Sequence, residues 1–294
     1  MIMYTLTRFR TAWICALTLA QGALLAQDVQ SNHATAKLVK EQTQAEPGKT
    51  MWIGVHFKMD EEWHLYWPGR NDTGFAPEFK VTLPEGWTLG KARWQSPNRH
   101  VSAGDIIDYT YEDEMMVIFP LDVPTNVAVG EVAEVSMDVS WLICSDMCIP
   151  EKQSIKTQIR VGVAGGSKPV ATQVDNFSKA RAAQPRPISE SLGTVNASIK
   201  DGALLVSAPG ASRIEFMPAI EGIPLANAAL EGAIDGASLS ATLGDPDASS
   251  HGVSGIVAVF RGEKRETYWL ELSAPENPNH EGAPDSMPSE RGTK

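Results

Sequence analysis

The stretch VSMDVSWLICSDMCIPEKQSIKTQIRVGV, residues 135–163, holds two alternating runs joined by a short segment with a cysteine at each end. In the first run Val135, Met137, Val139, Trp141 and Ile143 share one face. Ser136, Asp138 and Ser140 share the other, and Leu142 breaks the polarity. In the second run Ile155, Thr157, Ile159, Val161 and Val163 alternate with Lys156, Gln158 and Arg160. A period of two marks half-buried antiparallel strands. Cys144 and Cys148 stand four positions apart. In a straight strand that is about 13 Å, whereas a disulfide needs Cα atoms roughly 4.4–6.8 Å apart. If the two are bridged, the chain must turn between them. A hairpin with Ser145, Asp146 and Met147 at its tip places them near cross-strand opposition. Both carry even numbers and the apolar faces odd ones, so without a bulge both sulfurs project outward from the polar face.

Working outward, further strands are expected at TMWIGVHFKM, FKVTL and MMVIFPLDV, with turns at PGRNDTG and LPEGW. AGGSKP (164–169) is a break. Val170, Val174, Phe177 and Ala180 or Arg181 then fall at helical spacing, and the prolines of QPRPISE end that helix. A second β-rich region follows, with strands at NASIK, ALLVSA, RIEFMP, SLSATL, GIVAVFRG and TYWLELSA. The expected architecture is all-β: a sandwich, a short linker helix and a second sandwich-like domain. Its boundaries are 1–26, 27–164, 165–187, 188–275 and a polar tail over 276–294. Residues 1–26, with Arg8 and Arg10 before an apolar run from about Ala12 to Ala20, read as a secretory signal peptide. Export places the rest where disulfides persist.

The formal charge of the 294 residues is −11, and loss of the two leader arginines takes it to −13. Such a surface excludes nucleic-acid and anionic-lipid partners. No later run is apolar enough to insert directly in a membrane. No GxSxG, P-loop or dinucleotide fingerprint appears. His33, His56, His100, His251 and His280 lack metal-ligand spacing. The tryptophans at 52, 63, 67, 87, 94 and 141 read as packing residues. The chain has three cysteines, and Cys15 lies in the leader. For the remaining pair three readings stay open. It is a thiol–disulfide exchange pair, a staple holding a hairpin in a non-catalytic adaptor, or a Cu(I) site of a copper-tolerance protein completed by Met147 or a histidine. Closing so small a loop stabilises a fold by only about 2 kcal/mol, which argues for exchange over stapling.

EEWHLYW (61–67), PGRNDTG (68–74), LPEGW (83–87), WQSP (94–97), YTYEDE (109–114) and SWLICSDMCIPE (140–151) together resemble the N-terminal periplasmic domain of the DsbD family of protein-disulfide reductases, in its ScsB-like branch. The resemblance covers about residues 45–163 and extends loosely to about 275. It implies an immunoglobulin-like fold, a periplasmic location, no cofactor, and Cys144 and Cys148 as the redox pair, with Cys148 the sulfur attacked. It implies that His64 and Tyr66 lie beside the cysteines. An imidazolium at His64 would favour thiolate. Glu112 and Met115 fall in the family's cap loop, where Met115 replaces an aromatic and could cover the sulfurs. The implied partners are periplasmic thioredoxin-like proteins and a membrane-embedded thiol reductase on a separate chain, since no membrane or thioredoxin-like domain follows in this sequence.

Overall fold

The fold is that of a computed structural model, which describes residues 32–245 and 252–273. The expected signal peptide, Cys15 and the polar tail lie outside the described residues.

The first region has ten strands: β1 (Ala34–Lys40), β2 (Thr50–Met59), β3 (His64–Tyr66), β4 (Glu78–Thr82), β5 (Thr88–Leu89), β6 (Asn98–Ser102), β7 (Ile106–Glu112), β8 (Glu114–Asp122), β9 (Val132–Cys144) and β10 (Cys148–Arg160). They form a four-stranded sheet, β1-β2-β8-β5, and a six-stranded sheet, β10-β9-β3-β7-β6, in which β4 also pairs with β9. The period-two patterning builds the core between them. Ile53, Val55 and Phe57 of β2 and Val117, Phe119 and Leu121 of β8 meet Val135, Met137, Val139, Trp141 and Ile143 of β9 in one apolar cluster. Full burial of each such side chain stabilises by about 1.5–3 kcal/mol.

The seam between β1 and β10 is closed by side chains instead of a backbone ladder. Gln153 accepts from the Ala36 amide and donates to its carbonyl, both at 3.0 Å. Glu151, 2% exposed, accepts from the amides of His33 (2.6 Å) and Ala34 (3.2 Å) and from Trp141 Nε1 (3.0 Å). Without these bonds, three donors and one carboxylate would be buried unpaired.

The helix expected after the break is a 3₁₀ turn (Ala171–Gln173) followed by α1 (Val174–Ala182). Only part of its expected stripe is buried. Phe177 and Ala180 pack on Met116 and Ile118, on the outer face of the four-stranded sheet, while Val174 stays exposed. Val163 is likewise exposed because β10 ends at Arg160, and beyond that point no ladder fixes the alternation.

The second region contains β11 (Arg186–Pro187), β12 (Asn196–Lys200), β13 (Ala203–Ser207), β14 (Arg213–Pro218), α2 (Ala228–Glu231), β15 (Ala233–Asp235), β16 (Ser238–Thr242), β17 (Gly252–Arg261) and β18 (Lys264–Ser273). A five-stranded sheet, β11-β18-β17-β14-β15, faces a three-stranded one, β12-β13-β16. Their core includes Leu204, Val206, Phe216, Val257 and Leu270. The opposite face of the larger sheet is also apolar. There Met217, Ala219, Ile256 and Ala258 join the cluster of the first region. Polar contacts fasten this junction. Arg70 donates from Nε and Nη2 to the Gly222 carbonyl at 3.1 and 2.7 Å, Arg99 Nη2 to the Ala228 carbonyl at 2.8 Å, and Ser96 Oγ to Thr267 Oγ1 at 2.7 Å.

Candidate redox site

Cys144 and Cys148 are joined by a disulfide, with Cα atoms 4.1 Å apart. They close a hairpin whose tip is Ser145, Asp146 and Met147, and the β9–β10 register runs without a bulge from Cys144↔Cys148 to Val132↔Arg160. The even-numbered face therefore carries both cysteines. The expectation that both sulfurs would be open to solvent needs correction, however. Cys148 is exposed, but Cys144 is only 1% exposed. Residue parity gives the face of a sheet and says nothing about what flanks a position on that face. Here Cys144 lies inside a row. His64 of β3 is its partner across the sheet, and Glu112 of β7 is the partner of His64. Directly opposed residues point to the same side, so the outer face reads Cys148, Cys144, His64, Glu112 across four strands.

The adjacent row brings Tyr66, whose hydroxyl lies 3.9 Å from Cys148 Sγ and 3.2 Å from His64 Nε2. Tyr66 is buried although it is on the outer face, because the 68–74 segment covers it. A Cβ on Gly74 would come within 2.2 Å of the Tyr66 ring, so only glycine lets the loop lie this close. The loop is laced to β7. Asn71 Oδ1 accepts from the Tyr109 amide (2.8 Å) and Asp72 Oδ2 from the Ile107 amide (2.8 Å). Thr73 donates to the buried Asp108 twice, from its amide (3.0 Å) and its hydroxyl (2.6 Å). The Thr73 hydroxyl is also 3.2 Å from that of Tyr66.

Burial lowers the His64 pKa, and the neighbouring His100 lowers it further, while Asp108 and Glu112 oppose the shift. His64 is therefore neutral at neutral pH. The expected imidazolium is not what this environment favours, because half-burial of a ring removes the water that would solvate its charge. Burial raises the Tyr66 pKa, so the phenol keeps its proton.

The acidic run does not build a cap loop. Glu112 ends β7, Glu114 begins β8, and Asp113 alone stands between them, at φ 58°. There the chain passes directly from one sheet to the other, and the Met59 amide donates to the Asp113 carbonyl at 2.8 Å. Glu112 reaches the site as the end of its row. Met115 is a core residue, 2% exposed and opposite Phe57, so it offers no movable cover. The exposed methionine beside the sulfurs is Met147, at 64%. Thr73 and Asp108 are absent from the sequence reading. The signal for Asp108 is the polar run Asp108, Thr110 and Glu112 at even positions of a strand whose odd positions, Ile107, Tyr109 and Tyr111, are apolar or aromatic.

Among the described residues no group of three or more His, Cys, Asp or Glu is arranged to hold a metal ion. None of their helices is long and apolar enough to cross a membrane.

Residues 35–159 match the family model for the thiol:disulfide interchange protein DsbD, N-terminal. This segment is a DsbD N-terminal domain. Its fold is the expected immunoglobulin-like β-sandwich. The N-terminal periplasmic domain of ScsB from Proteus mirabilis superposes with a TM-score of 0.51 at 15% identity, covering 82% of this chain and 92% of that one. A likeness over 82% of the chain extends well past the DsbD N-terminal domain into the second β region, and it concerns the fold. The reduced DsbD N-terminal domain of Neisseria meningitidis matches at TM-score 0.26 and 18% identity, over 45% of this chain and 89% of that one. A complex between the DsbD N-terminal and PilB N-terminal domains of the same organism matches at TM-score 0.25 and 17% identity, over 40% and 80%. No curated protein matches the chain in sequence.

Proposed function

We propose that the DsbD N-terminal domain of this protein is a periplasmic thiol–disulfide relay whose working groups are Cys144 and Cys148. One observation carries the reading: an exposed cysteine and a buried one are bridged at a hairpin end, beside the hydroxyl of a buried tyrosine. A partner thiolate attacks Cys148 Sγ, forming an intermolecular S–S bond. The Cys144–Cys148 bond breaks and Cys144 leaves as thiolate. The partner's second thiolate then attacks its own bridged sulfur and releases Cys148 as thiolate. Two electrons pass from the partner dithiol to this pair, and the reverse sequence delivers them to an oxidised client. The donor is a membrane-embedded thiol reductase, and the clients are periplasmic thioredoxin-like proteins. Residues 27–164 form the redox unit, 165–187 a linker, and 188–275 a second domain that supports it.

Equilibration against glutathione buffers tests this. A relay pair changes redox state across millimolar ratios, and Cys144→Ala traps a mixed disulfide through Cys148 with a thioredoxin-like protein. A pair that stays oxidised throughout would mark a staple and overturn the reading.

A further inference from the structure

The Tyr66 hydroxyl has one proton and three neighbours able to accept it: His64 Nε2 at 3.2 Å, Thr73 Oγ1 at 3.2 Å and Cys148 Sγ at 3.9 Å. Elimination fixes the donor on two of these contacts. A disulfide sulfur carries no hydrogen, so Tyr66 donates on the sulfur contact. Thr73 has one hydroxyl proton, and the short bond to Asp108 Oδ2 at 2.6 Å takes it. Thr73 can therefore only accept from Tyr66. Asp108 also holds the Thr73 amide at 3.0 Å, which locks the threonine in this orientation. A carboxylate that accepts two bonds, buried beneath the covering loop, thus makes Thr73 a competitor for the proton a Cys148 thiolate would use.

We infer that Asp108, acting through Thr73 and Tyr66, restrains the acidity of the Cys148 thiol in the reduced protein. Asp108 and Thr73 are positioning residues, and Tyr66 is the group that touches the reacting sulfur. Two effects of Asp108 act in the same direction. By claiming the Thr73 proton it makes Thr73 an acceptor that draws Tyr66 away from the sulfur. Its negative charge, on the same sheet face, opposes a second negative charge on Cys148. A charge-assisted O–H···S⁻ bond from Tyr66 acts against both. The other charged or titratable groups on this face include His64 and Glu112 in the cysteine row, His100 on β6, Asp146 at the hairpin tip, Lys152, Ser140's cross-strand partner, further along β10, and Glu78, Lys80 and Asp138 where β4 pairs with β9. None of them touches Thr73 or Tyr66 except His64, whose Nε2 accepts from Tyr66 in one neutral tautomer and donates to it in the other. The inference rests on the relay reading for its purpose. Its test needs no partner protein, so the two can fail separately.

The experiment is the pH profile of iodoacetamide alkylation of the reduced full chain, with the modified cysteine assigned by peptide mass. Asp108→Asn lowers the pH midpoint for Cys148 by about 0.5–1 unit, as expected for removal of one charge several ångströms away together with release of the Tyr66 proton. Tyr66→Phe raises the midpoint, and in that background the Asp108→Asn shift falls to half or less. Thr73→Ser keeps the original profile, whereas Thr73→Val moves it in the direction of Asp108→Asn. The threonine pair carries the test if the buried asparagine prevents folding. An unchanged or raised midpoint in both Asp108→Asn and Thr73→Val overturns the inference, as does a full-sized Asp108→Asn shift without Tyr66. A purely structural role would change thermal stability and leave the midpoint in place.

Discussion

Reducing the Cys144–Cys148 bond should cost the fold only about 2 kcal/mol. The bridge closes a loop of a few residues, and the chain-entropy relation gives about 2 kcal/mol for such a loop against about 4.7 for a 100-residue one. The structure supplies what holds the hairpin otherwise. Thirteen cross-strand pairs join β9 to β10, and Val135, Met137, Val139, Trp141 and Ile143 anchor β9 in the core. Twelve of those pairs and the whole apolar anchor are independent of the disulfide. For a domain of this size each kcal/mol moves Tm by about 2–4 °C, so the reduced protein should melt about 4–8 °C below the oxidised one. Urea denaturation with and without a strong dithiol reductant measures the difference, and the m-value reports whether the native state is otherwise intact. A loss of 5 kcal/mol or more, or unfolding on reduction, would show that the bond holds the hairpin together. The premise that it is free to be exchanged would then be wrong.

Further outcomes follow from the same contacts. Because His64 has a lowered pKa in the fold, the unfolded chain binds the proton more readily, and stability should fall as pH drops below about 6.5, the ordinary imidazole value; His64→Gln should flatten that slope in denaturation series between pH 7 and 5. Glu151→Ala strands three donors at the β1–β10 seam and should cost about 3 kcal/mol or more by chemical denaturation. Gly74→Ala forces a methyl into the Tyr66 ring and should displace Tyr66 from Cys148, read as altered alkylation kinetics together with a lower Tm. Arg70→Ala removes two bonds to the Gly222 carbonyl and should weaken docking of the second region by about 1–3 kcal/mol, visible as faster limited proteolysis between the regions.

The sandwich and its hairpin were legible because alternation is a property of the local chain. Val135 to Ile143 and Ile155 to Ile159 announce two strands, and four-residue spacing with a bridge requires a turn between them. The spacing also placed the hairpin tip correctly at 145–147. The expectation of a loop at the acidic run comes from the family resemblance of YEDE to a cap loop. The run is the point where two strands of different sheets meet, since Tyr109 and Tyr111 on one side and Met115 on the other are drawn into the core. Thr73 and Asp108 stayed hidden because the segment PGRNDTG carries every mark of an ordinary turn, and its partner lies 35 residues on.

The sequence by itself determined which residues share a face, that a bridge between the two cysteines requires a turn at 145–147, and that the chain folds into β-sheets. Those follow from backbone geometry over a few residues. Only the tertiary structure decided that Cys144 is covered while Cys148 is exposed, that His64 is neutral, and that a loop fastened to a distant aspartate packs on the tyrosine beside the sulfur. These depend on sheet order, β9 against β3 against β7, and on which loop folds over the outer face. Burial and charge at a site are set by lateral neighbours, and the order of strands in a sheet is not written in the period of any one of them.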